Sequence, residues 1–298
     1  MRFDSLNADL RRWLQSSIEA GHDGQALQQA LRTSGYDAAF ARQAVGAALA
    51  RLRPSERTAA APPRAETARP RPAAMPSTAR VLDGAANTIA TSDRTVEVLL
   101  ALGSPRLMLF GEFLSADECE QLIALADRRL QRSTVVNADT GAYDEHPDRT
   151  SSGTHFERRE NGLIARIERR IGELLDCPEE NGEPIQVLHY RAGAQYKPHH
   201  DYFDAAQPGN ERVLAMGGQR VATLIMYLNH VEAGGSTLFP TLGLDVRPRR
   251  GAALYFTYCN ESGETDARTL HGGTPVVAGE KWIATKWLRQ QAYGAAPG

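Results

Sequence analysis

The stretch Gln186-Val-Leu-His-Tyr190-Arg-Ala-Gly-Ala-Gln-Tyr196-Lys-Pro-His199-His-Asp201 decides how this chain is read. A short apolar-rich segment, a glycine-bearing turn and a second short segment follow one another, which is the rhythm of paired strands. The same rhythm continues through Val221 to Leu228, Ser236 to Phe239, Ala252 to Phe256 and Trp282 to Leu288. Many short strands placed after helices predict an α+β chain with a double-stranded β-helix (jelly-roll) core and supporting helices.

Upstream, Leu107 to Phe110 reads as a strand. Ser115-Ala-Asp-Glu118 has the spacing of a capping box, before a helix carrying Cys119, Leu122, Ile123 and Ala126. A second helix is expected from Asn161 to Leu175, with Leu163, Ile164, Ile167, Ile171 and Leu174 on one face. Val136 to Phe156 is polar, bears glycine and lacks clear periodicity, so it is expected to be a long mobile loop, of the kind that often forms a lid; the sequence does not say whether it closes on substrate.

Residues 1–52 read as a small three-helix unit: Leu10, Trp13, Leu14 and Ile18 recur at helical spacing, then Ala26, Leu27, Ala30 and Leu31, then Phe40, Ala44, Val45, Ala48 and Leu49. Asp37 is placed to cap the third helix. Such a unit serves either as a packing appendage or as a module for an unknown protein partner. Residues 53–94 read as a linker; Arg53 to Arg80, rich in Pro, Ala and Arg, carries too little apolar surface to fold. The main domain is expected over residues 95–292.

Composition narrows the function. Apolar content of 42% and charged content of 23% suit a soluble globular chain. A net charge of −2 argues against nucleic acid as the main partner, and the sequence has neither an apolar run long enough to span a membrane nor a signal-peptide core. Cys119, Cys177 and Cys259 are odd in number and widely spaced, which predicts a reducing, cytoplasmic setting.

His199 and Asp201 stand two residues apart, so in a strand both side chains face the same way while His200 faces elsewhere. Two imidazoles and a carboxylate can hold one face of a non-haem Fe(II) centre and leave other positions open. His271 supplies the second imidazole, just before Gly272-Gly273, where backbone can approach closely. Lys281 follows ten residues later, across a turn. A buried lysine needs a partner, and the far carboxylate of 2-oxoglutarate would be one. His22, His146, His155 and His230 sit in poorer contexts, and at most one of His189 and Tyr190 faces the cavity.

Laid end to end, these fragments resemble the prolyl 4-hydroxylase family, in its compact plant, algal and bacterial form. The likeness runs from about residue 105 to 290, through Val187-Leu-His-Tyr190 to Asp201, Gly217-Gly-Gln-Arg220 to Leu228, Gly234-Gly-Ser-Thr237-Leu-Phe-Pro240, Leu270-His271-Gly-Gly-Thr-Pro275 and Lys281 to Trp287. Ser133-Thr-Val-Val-Asn137 and Arg149-Thr-Ser-Ser-Gly-Thr154 resemble its substrate loop. The resemblance implies Fe(II) on His199, Asp201 and His271, and 2-oxoglutarate held by Lys281 with hydroxyl help from Tyr190 and Thr237. It implies O2 as co-substrate, extends to ascorbate, and gives Tyr196, Arg220 and Trp287 as peptide contacts. The implied reaction hydroxylates a proline-containing polypeptide at C4 and releases succinate and CO2. Hydroxylation of peptidyl lysine or a small molecule, or non-catalytic peptide binding, are the alternatives. Arg220 also reads as a structural ion-pair partner, Trp287 as core, and Tyr196 as cavity wall. Arg289 departs from the family, whose close relatives often carry histidine there, and the segment 204–216 differs as well.

Overall fold

A computed structural model describes residues 11, 14, 15, 18, 24–33, 38–52, 86–136, 142–259 and 264–294. The chain divides into two compact units, Met1–Arg69 and Pro70–Gly298. In the first, helices α1 (Gly24–Thr33) and α2 (Ala38–Leu52) share a core of Leu27, Leu31, Ala41, Ala44, Val45 and Ala48, with Leu14 buried among them. Trp13, Asp37 and the Arg53 to Arg80 stretch lie outside the described residues, as does most of the first expected helix.

The second unit runs β1 (Thr88–Ala90), β2 (Thr95–Leu102), β3 (Leu107–Gly111), α3 (Ala116–Asp127), β4 (Gln131–Arg132), β5 (Thr134–Val136), β6 (Tyr143–Glu145), β7 (Ser152–Phe156), α4 (Gly162–Leu175), β8 (Ile185–Tyr190) and β9 (Tyr196–His199). It continues with α5 (Glu211–Ala215), β10 (Arg220–Tyr227), β11 (Ala233–Gly234), β12 (Thr237–Phe239), β13 (Leu244–Val246), β14 (Ala253–Thr257), β15 (His271–Gly273), β16 (Val276–Ala278) and β17 (Lys281–Arg289). Its architecture is α+β with antiparallel sheets: nine strands ordered β1-β2-β3-β14-β10-β17-β8-β7-β4, and four ordered β13-β12-β15-β9.

Local chemistry sets the helix ends. Ser115 Oγ accepts from Glu118 N while Ser115 N donates to the Glu118 carboxylate, both at 3.0 Å, so the capping box forms as expected. Asn161 caps α4 by accepting from the amides of Leu163 and Ile164. Glu118 also binds Arg170 of α4 at 2.7 Å, which ties the two helices together.

The large sheet shows how period-2 alternation positions the site. Along β10, Ala222, Leu224 and Met226 pack toward the helices with Cys119, Leu122, Ile164, Ile167 and Ile171. Ile225 and Tyr227 pack the other way, with Phe239 and Val246 of the four-stranded sheet. On β17, Trp282, Ala284 and Leu288 join the helix-side core and Ile283 joins the opposite one, so Lys281 shares the face turned to the small sheet.

The expectation of a long loop over 136–156 is corrected. β5 and β6 pair as a hairpin, and β7 lies inside the large sheet between β8 and β4. The sequence hides β7 because its close packing needs glycine: a Cβ on Gly153 would lie 2.7 Å from Leu188 Cδ2 and 3.0 Å from a backbone oxygen. Thr88–Ala90, inside the stretch read as linker, pairs with β2.

Candidate active site

His199 ends β9 and His271 opens β15, and the two are directly paired across the ladder. The close approach foreseen at Gly272 is real, since a Cβ there would lie 2.9 Å from both Pro198 N and Tyr196 O. Asp201 lies beyond the end of β9 and not within it, so a bend after His200, not strand alternation, carries its carboxylate inward. The carboxylate oxygens lie 3.5 Å from His199 Nε2 and 3.4 Å from His271 Nε2. All three residues offer ligand atoms within 4.8 Å of one another, the one such group among the described residues.

The tautomers follow from the backbone. Nδ1 of His199 is 2.8 Å from the Lys197 carbonyl, and Nδ1 of His271 is 3.0 Å from that of Thr269. Carbonyls only accept, so each Nδ1 carries the proton and each Nε2 keeps its lone pair for a metal. Burial pushes His199 below its usual range. Burial pushes the Asp201 carboxyl up, but the neighbouring imidazoles, His271 first, outweigh it when protonated and hold the carboxyl well below the carboxylate range, so Asp201 is already anionic when the imidazoles are neutral. Two neutral nitrogens and one anionic oxygen are a donor set suited to Fe(II), with coordination positions to spare.

Two hydroxyls unforeseen from the sequence also reach Asp201. Thr223 Oγ1 lies 2.7 Å and the Tyr258 hydroxyl 3.3 Å from Oδ2, and the two hydroxyls also touch each other, so their two protons serve three contacts. Thr223 carried a signal, as the one polar side chain in the apolar run Val221 to Leu228 that is not at its aromatic end. Tyr196 stacks on His199 with ring centroids 3.6 Å apart, and Phe256 meets His271 edge-on at 4.6 Å.

Lys281 is paired with Tyr190 of β8, and its Nζ lies 5.4 Å above the tyrosine ring. It is 3% exposed, and no carboxylate pairs with it among the described residues. Burial alone draws its ammonium down to about 7. Glycines leave room around it: a Cβ on Gly273 would lie 3.7 Å from Nζ, and one on Gly235 would lie 3.4 Å from Lys281 Cδ. Thr237 is buried and bonded to the Tyr227 hydroxyl at 2.8 Å, and the buried Tyr190 phenol is bonded to Ser151. His189 turns away, stacking on Trp282 and binding Glu280 at 2.7 Å.

A cleft of about 1180 Å³ opens beside the cluster, with Arg149, Tyr196, His199, Asp201, Arg220 and Trp287 in its wall. Arg220 stacks on Trp287 at 4.0 Å and spends its fork on Glu183, at 2.6 and 2.9 Å. The ion-pair reading of Arg220 is therefore the one its geometry favours. Arg289 binds Glu183 from the other side at 2.6 Å. Among the described residues, the buried Trp287 Nε1 and Arg149 Nε have no hydrogen-bond partner.

The sequence profile of the 2OG-Fe(II) oxygenase superfamily matches residues 185–289. Prolyl 4-hydroxylase 1 of Arabidopsis thaliana is 46% identical over 205 residues, covering 63% of this chain and 70% of its own length. Probable prolyl 4-hydroxylase 3 of the same plant is 41% identical over 221 residues, covering 67% and 74%. Among solved structures, the viral collagen prolyl hydroxylase of Paramecium bursaria Chlorella virus-1, in its 2OG complex, is 31% identical with a TM-score of 0.49, covering 61% of this chain and 95% of that one.

Proposed function

The chain belongs to the prolyl 4-hydroxylase family of the 2OG-Fe(II) oxygenases, and from that membership we propose that it hydroxylates a peptidyl proline at C4. Fe(II) and 2-oxoglutarate are its cofactor and cosubstrate. The reading of the residues rests on one juxtaposition: two imidazole Nε2 lone pairs converge on a carboxylate, while a buried lysine of the nine-stranded sheet has no carboxylate partner among the described residues. His199, Asp201 and His271 would hold the iron, and Lys281 would hold the C5 carboxylate of 2-oxoglutarate, with hydroxyls from Tyr190 and Thr237 beside it. When bound, the metal supplies the activation of O2, coupled to conversion of 2-oxoglutarate to succinate and CO2.

The chain's own residues bind, orient and exclude water. Lys281 meets its anion in a buried site, where a charge-assisted contact is stronger than in solvent. Phe239 and Phe256 wall off His271 with apolar rings. Trp287 and Tyr196 offer flat faces to a proline ring. Arg220 and Arg289 fix Glu183, and through stacking Arg220 fixes the Trp287 plane. The two sheets are read as the jelly roll of the superfamily, and residues 1–52 as a small helical unit of three segments.

The test is incubation with Fe(II), 2-oxoglutarate and a proline-rich peptide, reading succinate and peptide mass. The expected result is one added oxygen on proline per succinate, abolished in His199→Ala and Lys281→Ala. Succinate formation indifferent to the peptide, with no oxygen gained by proline, would overturn the substrate assignment.

A further inference from the structure

Between α2 and β1 the sequence holds a run unlike the rest of the chain. Arg53 to Arg80 carries six prolines, and six arginines against two glutamates, a local charge of +4 in a chain of net −2, so the remaining residues sum to −6. From Thr67 to Arg80 there is no acidic residue, and Arg69-Pro70-Arg71-Pro72 alternates cation and proline. Proline-rich sequences favour the polyproline II form, which has no internal hydrogen bonds and suits aromatic-lined grooves. On the hydroxylase reading above, the chain therefore carries within itself a sequence of the chemical class its cleft takes.

The cleft wall has the opposite charge. It holds the carboxylates of Glu157, Glu183, Asp201 and Asp204 against the guanidinium groups of Arg149 and Arg220. Asp201 belongs to the ligand set, and Glu183 is paired with Arg220 and Arg289. Arg149 is buried and donates to the neutral oxygens of Thr134 and Gln186. Glu157 and Asp204 are exposed and have no Lys or Arg partner among the described residues, so the rim presents negative charge. The chain is also long enough. Pro72 precedes Thr88 of β1 by about sixteen residues, which span up to about 50–60 Å when extended. β1 lies five strands from β17, which carries Trp287, or roughly 24 Å at about 4.8 Å per strand. A segment tethered at that length meets the cleft at an effective concentration in the millimolar range.

We propose that the cleft takes the Arg69-Pro70-Arg71-Pro72 segment of its own chain as a substrate and hydroxylates one of those two prolines at C4, with Glu157 and Asp204 attracting the flanking arginines. The proline C4–H bond becomes C4–O–H. One oxygen atom of O2 enters proline and the other enters succinate, as 2-oxoglutarate is oxidised and loses CO2. The reaction is intramolecular, and its charge steering weakens with salt.

The experiment uses the full chain, produced without oxygen and then given Fe(II), 2-oxoglutarate and isotope-labelled O2, with a synthetic proline-rich peptide as second substrate. Digestion and mass spectrometry locate the label. The expected result is one labelled oxygen on Pro70 or Pro72, absent in His199→Ala and when Co(II) replaces Fe(II). Its first-order rate constant should hold over roughly a hundredfold dilution of the protein, whereas labelling of the peptide slows in proportion. The rate should fall several-fold in about 0.5 M salt, and also when Glu157→Gln and Asp204→Asn are combined. Label on the peptide with none on Pro70 or Pro72 would overturn the inference and leave the hydroxylase reading standing; label on neither would overturn both. Segment labelling that slows with dilution, or that ignores both salt and the paired rim substitutions, would also overturn the inference.

Discussion

Lys281 has no carboxylate partner among the described residues, and burial alone holds its ammonium near 7. A bound carboxylate stabilises the protonated amine, so its pKa rises in the complex above its value in the free protein. The sign follows: below pH 7 the lysine is charged before binding and affinity for 2-oxoglutarate is flat; above it, binding takes up a proton. The dissociation constant should then rise about tenfold per pH unit between roughly 7 and 9. Titration calorimetry in buffers of unequal ionisation heat checks both the slope and the proton uptake. Glu183 makes a second prediction, because its carboxylate binds both Arg220 and Arg289. Glu183→Gln leaves two buried cations facing each other and should cost about 3–5 kcal/mol in urea unfolding. That His199, Asp201 and His271 come together was legible less from the His-x-Asp pair, which is common by chance, than from the several motifs around them that recur in order. Thr223 and Tyr258 were not, since a threonine in a β segment and a tyrosine after one are ordinary strand residues.

At the scale of elements, the pairing of β9 with β15 matters most. Gly272→Ala places a methyl against Pro198 N and Tyr196 O, both backbone atoms, so the strands must separate. The expected loss is about 1–3 kcal/mol, together with weakened Co(II) binding as His199 and His271 move apart. Gly273→Ala should behave differently, because its methyl meets the flexible end of Lys281 at 3.7 Å; it should spare folding and metal while raising the 2-oxoglutarate dissociation constant. Urea melts and chelator competition on the two variants separate these outcomes. Elements with local signals were legible: the capping box at Ser115, the stripe of Leu163, Ile164, Ile167 and Ile171, and the apolar strands β8, β10 and β17. β7 was not, because Ser152-Gly-Thr-His-Phe156 borrows its stability from Leu188 and the neighbouring strands and shows no alternation of its own.

Across the whole molecule, the α+β class was legible, since the helical stripes precede a run of short strands. The order of nine strands in one sheet was not, because it pairs β3 with β14 and β17 with β8, contacts between distant segments that no local pattern encodes. A metal held by the ligand set also stabilises the entire fold by mass action. At a free concentration of 100 times its dissociation constant, Co(II) should add about 2.7 kcal/mol and raise the melting temperature by roughly 5–10 °C. His199→Ala should lose that increment in a calorimetric scan. His199 and His271 are directly opposed on neighbouring strands, yet roughly seventy residues separate them along the chain, so an ion between them acts as a removable cross-link closing a long loop. Pro198, beside one ligand, has no N–H to give to the ladder, which makes that seam thin without the ion. Cellular iron supply would therefore govern the lifetime of the polypeptide before proteolysis as well as the fraction of it that is active.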